Sequence, residues 1–301
     1  MEAARDTSER TATIATLIAE GTTALTAAGV GTPRLDAEVL LAAACELDRT
    51  ALYTRAREPV SPRCAETFHG FLARRARREA LQYIVGRQEF WSLEFTVTPD
   101  VLIPRPETEQ LVELALDILR PILPVRGVGA RRPVPPRLCD VGTGSGCIAV
   151  ALATELAGAD VWALDVSTSA LAVAEANARR HGVAERMRFL RSDLFTSVSG
   201  QRFDVVVSNP PYLTANDLAD LQPEVAFEPR AALDGGTDGL DIIRRLLVTA
   251  ADHLVDGGWL LVEIGAAQAA AVDNLACAAG FGAVSIRSDY AGLPRVLMAQ
   301  R

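Results

Sequence analysis

An α/β fold with a doubly wound parallel sheet, preceded by a small helical domain and joined to it by a β-hairpin, is what this sequence predicts. Three observations carry that expectation. From Arg137 onward, short apolar runs alternate with helical patterns, as parallel sheets with crossover helices require. From about Thr11 to Ala80 the pattern is helical and rich in Ala and Leu. The chain has 301 residues, more than one domain usually holds, so two domains with a sizeable core are expected.

Taken in order, residues 1–80 form the helical domain, in which Ser61 and Pro62 read as an N-cap and a first helical residue. Residues 81–104 form the link. Within it Gln82 to Val101, rich in Tyr83, Phe90, Trp91, Leu93, Phe95 and Val97, reads as a strand pair. The sheet domain, 105–301, opens with a helix from Pro106 to about Leu119. Pro121 to Pro136, with five prolines among glycines and arginines, reads as a flexible connection. Strands are then expected at Arg137–Val141, Ala159–Asp165, Met187–Ser192, Phe203–Val207, Trp259–Val262 and Arg295–Met298.

The most informative segment is Ser208-Asn209-Pro210-Pro211-Tyr212, directly after Phe203-Asp204-Val205-Val206-Val207. The valine run reads as a buried central strand, and two prolines cannot continue it because they lack amide donors. Asn209 is thereby held extended at the carboxyl end of a strand, where open α/β sheets place their ligands. Such a site suits a planar amino group. The Asn209 side-chain oxygen can accept one N–H, the Pro210 carbonyl the other, and the Tyr212 ring can lie against the flat group. An amide or exocyclic amine nitrogen is a poor nucleophile, so two fixed acceptors that favour its developing positive charge lower the barrier to attack. The plain alternative is a rigid turn that ends a strand.

Upstream, Asp140-Val141-Gly142-Thr143-Gly144-Ser145-Gly146 sits between a short strand and an apolar helix, and reads as a nucleotide pocket. It is not a dinucleotide fingerprint, because Cys147 stands where the third glycine belongs, nor a Walker loop, because no Gly-Lys-Ser/Thr follows. Acids recur at successive strand ends. Asp165 lies where a ribose hydroxyl pair is usually gripped, and Asp193, or the adjoining Leu194, would face the adenine edge and ring. The alternative for any one acid is a solvated strand end or helix cap.

A net charge of −8 and a pI near 5.1 count against a nucleic-acid binder, which usually carries a basic footprint. The run Arg74-Arg75-Ala76-Arg77-Arg78 reads as one solvated helix face rather than a contact for phosphates. Five scattered cysteines (Cys45, Cys64, Cys139, Cys147, Cys277) and three histidines show no metal-ligand spacing and no disulfide framework. The start of the chain lacks an apolar signal region and no long apolar span follows, so a reducing cytoplasm is the expected setting.

Together, the glycine loop, Asp165, Asp193 and Asn-Pro-Pro-Tyr resemble a class I S-adenosylmethionine-dependent methyltransferase. Val101–Glu109, Phe227–Gly236, and Glu263-Ile264-Gly265 with Gln268 narrow the resemblance to the release factor glutamine methyltransferase family (PrmC, also called HemK), from about Arg34 onward. Departures are Ala80, where the family usually has proline, and Gly292-Leu293-Pro294-Arg295, which lacks charged residues often found there. The resemblance implies a doubly wound Rossmann-like methyltransferase sheet ending in an edge hairpin, a substrate-recognising helical domain, and transfer of a methyl to the side-chain amide nitrogen (N5) of the glutamine in the Gly-Gly-Gln motif of peptide chain release factors. Asn209, Pro210, Pro211 and Tyr212 would hold that amide. Asp140, Gly142, Thr143, Gly144, Ser145, Gly146, Asp165, Asp193, Leu194 and Asn209 would hold S-adenosylmethionine. Release factors are then the expected partners of a monomeric chain, with no duplex DNA and no membrane. An adenine N6 methyltransferase, whose target is also a planar amine, and a methyltransferase-like fold used only for binding are the alternatives.

Overall fold

Side-chain caps start three of the first four helices. In the computed structural model, which describes residues 12–120 and 135–301, Thr13 and Thr16 form a capping box on α1 (Ile14–Ala27). Pro33 opens α2 (Pro33–Ala44), and Asp48 caps α3 (Arg49–Thr54). Ser61 accepts the Cys64 N–H ahead of Pro62 in α4 (Pro62–Ala76), as the sequence predicts. The segment Gln82–Val85, expected as strand, is instead helix α5 (Leu81–Val85), ended by Gly86 at φ 74°. These helices bury Leu17, Leu25, Leu40, Leu41 and Phe68 at no more than 1% exposure. The five helices and residues 223–227 make up one compact unit, and 87–222 with 228–301 make up the other. The start of the chain (1–11) and most of the proline-rich stretch lie outside the described residues.

Two further sequence expectations change in the first unit. Cys45 and Cys64 are joined as a disulfide, with Cα atoms 5.1 Å apart, although their spacing along the chain gives no sign of pairing. The arginine run is not one solvated face. Arg75 is buried, with its guanidinium 2.7 Å from Asp36 Oδ2 and 2.9 Å from Glu224 Oε1. Arg78 donates to both oxygens of Glu224, and Arg74 pairs with Glu79. Burial pushes the Glu224 carboxyl up, but the bonds from Arg78 and Arg75 override it and hold the group at about 2.

The second unit begins with a hairpin of β1 (Arg87–Phe90) and β2 (Leu93–Thr96), turned by Trp91 and Ser92, both at left-handed φ (53° and 57°). That two-residue turn usually takes Asn-Gly. Here the Trp91 N–H donates to Glu109 at 2.7 Å and its indole N–H to Glu155 at 3.1 Å, so ties from outside the hairpin stabilise it. Pro106–Thr108 forms a single 3₁₀ turn leading into α6 (Glu109–Leu119).

The sheet follows, with β3 (Arg137–Val141), α7 (Cys147–Glu155), β4 (Asp160–Asp165), α8 (Thr168–Arg180), β5 (Met187–Arg191) and β6 (Phe203–Ser208). After a short α9 (Ala215–Ala219) come α10 (Asp241–Ala250), β7 (Leu254–Glu263), α11 (Ala269–Ala278), β8 (Ala283–Ser288) and β9 (Pro294–Gln300). Strand order is β5-β4-β3-β6-β7-β9-β8, parallel through β7, with β9 antiparallel to both its neighbours. Both faces are covered. Val205 and Val207 of β6 pack in a cluster with α6 and α7, while Val206 packs with α10 and α11. That two-sided burial is why this strand reads as a continuous valine run rather than an alternating one.

Candidate active site

The parallel order brings the carboxyl ends of β3, β4, β5 and β6 to one rim, and a cavity of about 360 Å³ opens there. Gly142, Thr143, Gly144 and Ser145, between β3 and α7, form one wall. Gly142 and Gly144 have φ of 77° and 54°, and a Cβ on either would project into open space, so the loop presents bare backbone to the cavity. Gly146 faces the other way: a Cβ there would lie 3.0 Å from Ala174 of α8, and the residue serves loop-to-helix packing.

Asp165, the last residue of β4, lines the cavity and accepts two backbone N–H groups, from Gly144 at 2.9 Å and from Ser167 at 2.9 Å. Asp193 and Leu194 lie on the wall beyond β5. Asp193 is exposed and paired with Arg245 at 2.7 Å, and Leu194 is held at φ 48°. Asp140 is placed differently from the other acids. It is fully buried within β3 and absent from the cavity wall, with Oδ2 accepting the Thr143 hydroxyl at 2.7 Å and Oδ1 without a partner. Burial, opposed by the Thr143 bond and reinforced by the nearby Asp165 charge, raises its pKa to about 7. Cys147, buried at the start of α7, is pushed up to about 12, first by burial and then by Asp140.

At the end of β6, Asn209, Pro210 and Pro211 line the same cavity. Tyr212 does not line it. It is half-buried, its hydroxyl donates to Glu263 Oε1 at 3.2 Å, and its pKa is raised by burial and by the Glu263 charge. Its carbonyl accepts from Gln268 Nε2 at 3.0 Å, and a Cβ on Gly239 would stand 2.3 Å from that carbonyl, so only glycine fits there. Asn209 Nδ2 donates to Thr108 Oγ1 at 3.1 Å, and Thr108 in turn donates to Glu263 Oε2 at 2.7 Å. Arg105 pairs with buried Glu228, which also accepts the Ile103 N–H at 3.3 Å, fixing the segment that carries Arg105 along the cavity.

Sequence reasoning gave no role to Thr108 or Glu263. Glu263 ends β7 beside the end of β6, so the strand-end rule that selects Asp165 could have found it.

The family model for the PrmC N-terminal domain matches residues 16–86, and that for the methyltransferase small domain matches residues 130–226. A release factor glutamine methyltransferase of Geobacter sulfurreducens is 46% identical over 270 residues, spanning 89% of this chain and 90% of that protein. One of Moorella thermoacetica is 44% identical over 96% of this chain and 99% of its own length. The chain belongs to the release factor glutamine methyltransferase family. It is therefore a methyltransferase. Among solved structures, a methyltransferase from Pyrococcus furiosus (TM-score 0.51, 19% identity, 76% of this chain and 98% of that one) shares the fold. So does the catalytic domain of hMettl16 in complex with a MAT2A 3′UTR hairpin (TM-score 0.56, 16% identity, 76% and 81%). As in other folds of this class, the glycine loop and strand ends of this release factor glutamine methyltransferase family member meet at one rim. Among the described residues no helix is long and apolar enough to cross a membrane.

Proposed function

We propose that this chain transfers a methyl group from S-adenosylmethionine to the side-chain amide nitrogen (N5) of the glutamine in the Gly-Gly-Gln motif of peptide chain release factors. One observation carries the reading: Asn209 and Pro210, the acceptors for a planar amino group, share a single cavity with the bare glycine loop and Asp165.

The chain's residues fit the cofactor. Open space beside Gly142 and Gly144 admits a ligand close to backbone, and Asp165 and Asp193 on the wall suit a ligand with hydroxyls and positive charge. Thr143, Ser145, Leu194 and Asn209 complete the wall, while Asp140 and Gly146 act from behind it, through Thr143 and through packing on α8. When bound, S-adenosylmethionine supplies an activated methyl on a sulfonium whose leaving thioether is neutral. Asn209 Oδ1 and the Pro210 carbonyl would accept the two N–H groups of the glutamine amide and favour the positive charge that develops on nitrogen. Holding the nitrogen in line is worth several kcal/mol by itself. No strong base is required, since the proton becomes acidic as the nitrogen gains charge and leaves to water afterwards. Tyr212, tied to Glu263, stiffens this segment from behind. Recognition of the folded release factor we assign to the helical unit.

The test is incubation with labelled S-adenosylmethionine and either folded release factor or duplex DNA, followed by mass spectrometry. Label on the Gly-Gly-Gln glutamine and none on DNA is expected; label on DNA alone would overturn the reading.

A further inference from the structure

We infer that Thr108 and Glu263 are positioning residues that decide which end of the Asn209 amide faces the cavity. The inference rests on the role given to Asn209 above.

Glu263 is 1% exposed at the end of β7, and its two oxygens accept the hydroxyls of Thr108 and Tyr212 at 2.7 and 3.2 Å. A threonine hydroxyl has one proton to give. With that proton on Glu263, the Thr108 oxygen can only accept, so the Asn209 group that meets it at 3.1 Å must be the amino end. The carbonyl end, Oδ1, is thereby left for the substrate. Direction passes from a buried carboxylate to a hydroxyl to an amide, across residues 155 and 101 positions apart in sequence. Burial, with a smaller push from Glu107, raises the Glu263 pKa above its ordinary value, while the hydroxyls of Thr108 and Tyr212 and the Arg295 charge on β9 favour the carboxylate that accepts from both. Tyr212, the other hydroxyl on Glu263, strengthens the demand that this group stay an acceptor.

Replacing Glu263 by glutamine removes that demand. A Gln side chain can donate to the Thr108 oxygen, which frees the hydroxyl to donate to Asn209 Oδ1. The amide then turns its amino end toward the cavity, where it opposes a substrate N–H.

The experiment compares Glu263→Gln, Thr108→Val and Thr108→Ser with the parent chain. Single-turnover transfer to folded release factor should fall roughly 10- to 100-fold in Glu263→Gln and Thr108→Val, the scale for a misplaced transition-state partner. Dissociation constants for release factor and S-adenosylmethionine should change by less than about 3-fold, because the interaction matters as charge develops. Thr108→Ser should recover most of the rate. In protein labelled with ¹⁵N-asparagine, the Asn209 side-chain amide signals, identified by their loss in Asn209→Ala, should move in Glu263→Gln without any ligand. An unchanged rate in Glu263→Gln overturns the inference, as does Thr108→Ser performing no better than Thr108→Val. If Glu263→Gln does not fold, the Thr108 pair decides. If the parent chain methylates no release factor, the functional reading fails and this inference falls with it, a result distinct from an active parent matched by an equally active Glu263→Gln.

Discussion

Asp165 accepts the backbone N–H of Gly144 at 2.9 Å, so the acid at the end of β4 is also a strut of the glycine loop. Its removal should therefore act twice on the cofactor, by deleting a hydrogen-bonding carboxylate and by loosening the loop. Asp165→Ala is expected to weaken S-adenosylmethionine binding by about 1 to 3 kcal/mol, the scale for hydrogen bonds to a charged group. Titration calorimetry on the folded variant checks it, and unchanged affinity would take Asp165 out of the site.

Asn209→Ala deletes an acceptor whose bond strengthens only as charge develops on the nitrogen. The rate of transfer should drop roughly 100-fold or more, with cofactor binding much less affected. Asn209→Asp keeps the acceptor oxygens and adds charge, and should retain part of the activity. Single-turnover kinetics at saturating cofactor and release factor separates these outcomes from a residue that merely ends a strand, for which Asn209→Ala would run at the parental rate.

Asp140 makes the fold sensitive to pH in an unusual direction. Its pKa rises from an ordinary 3.8 to about 7 on folding, chiefly through burial, so between those values the native state holds a proton that the unfolded chain has lost. This group's contribution is thus least unfavourable below about pH 4 and costs stability as pH climbs to about 7, by about 4 kcal/mol in full at 1.4 kcal/mol per pKa unit. Asp140→Asn should gain on the parent through that window and hold a constant difference above it. Urea unfolding at pH 4, 5.5, 7 and 8.5 measures the difference; a gap that does not widen with pH refutes the assignment.

Within the helical unit, Arg75→Met would strand the buried carboxylate of Asp36. The expected loss is about 3 to 5 kcal/mol, as for breaking a buried pair from one side. Adding Asp36→Asn should return part of it, because no unpaired charge then remains. Denaturant midpoints of the single and double variants decide, and a double variant no more stable than Arg75→Met would contradict the pairing argument.

The strand ends were legible in the sequence because their signals are local. Valine runs, two prolines and a tight set of glycines place Asn209 and the loop without knowledge of anything distant. Long-range pairing left no such trace. Arg75 reads as a solvated residue because its partner Asp36 lies 39 positions away, and helical periodicity cannot register a charge on another element. Gln82–Val85 is aromatic and apolar enough to pass for strand, and over so few residues pattern cannot separate strand from helix; the stop at Gly86 decides it. For Tyr212 the chemistry suggested a ring against the substrate, whereas the partner that holds its hydroxyl, Glu263, comes 51 residues later.

The pairing of Arg78 with Glu224 spans 146 residues and ties residues 223–227 into the helical unit. That unit is consequently not a contiguous stretch of chain. At roughly 5 to 20 residues per second of synthesis, Glu224 emerges on the order of 7 to 30 seconds after Arg78. Until then the nascent helices carry a buried arginine and a neighbouring one without this acid. Completion of the helical unit therefore waits on a segment encoded well into the sheet unit.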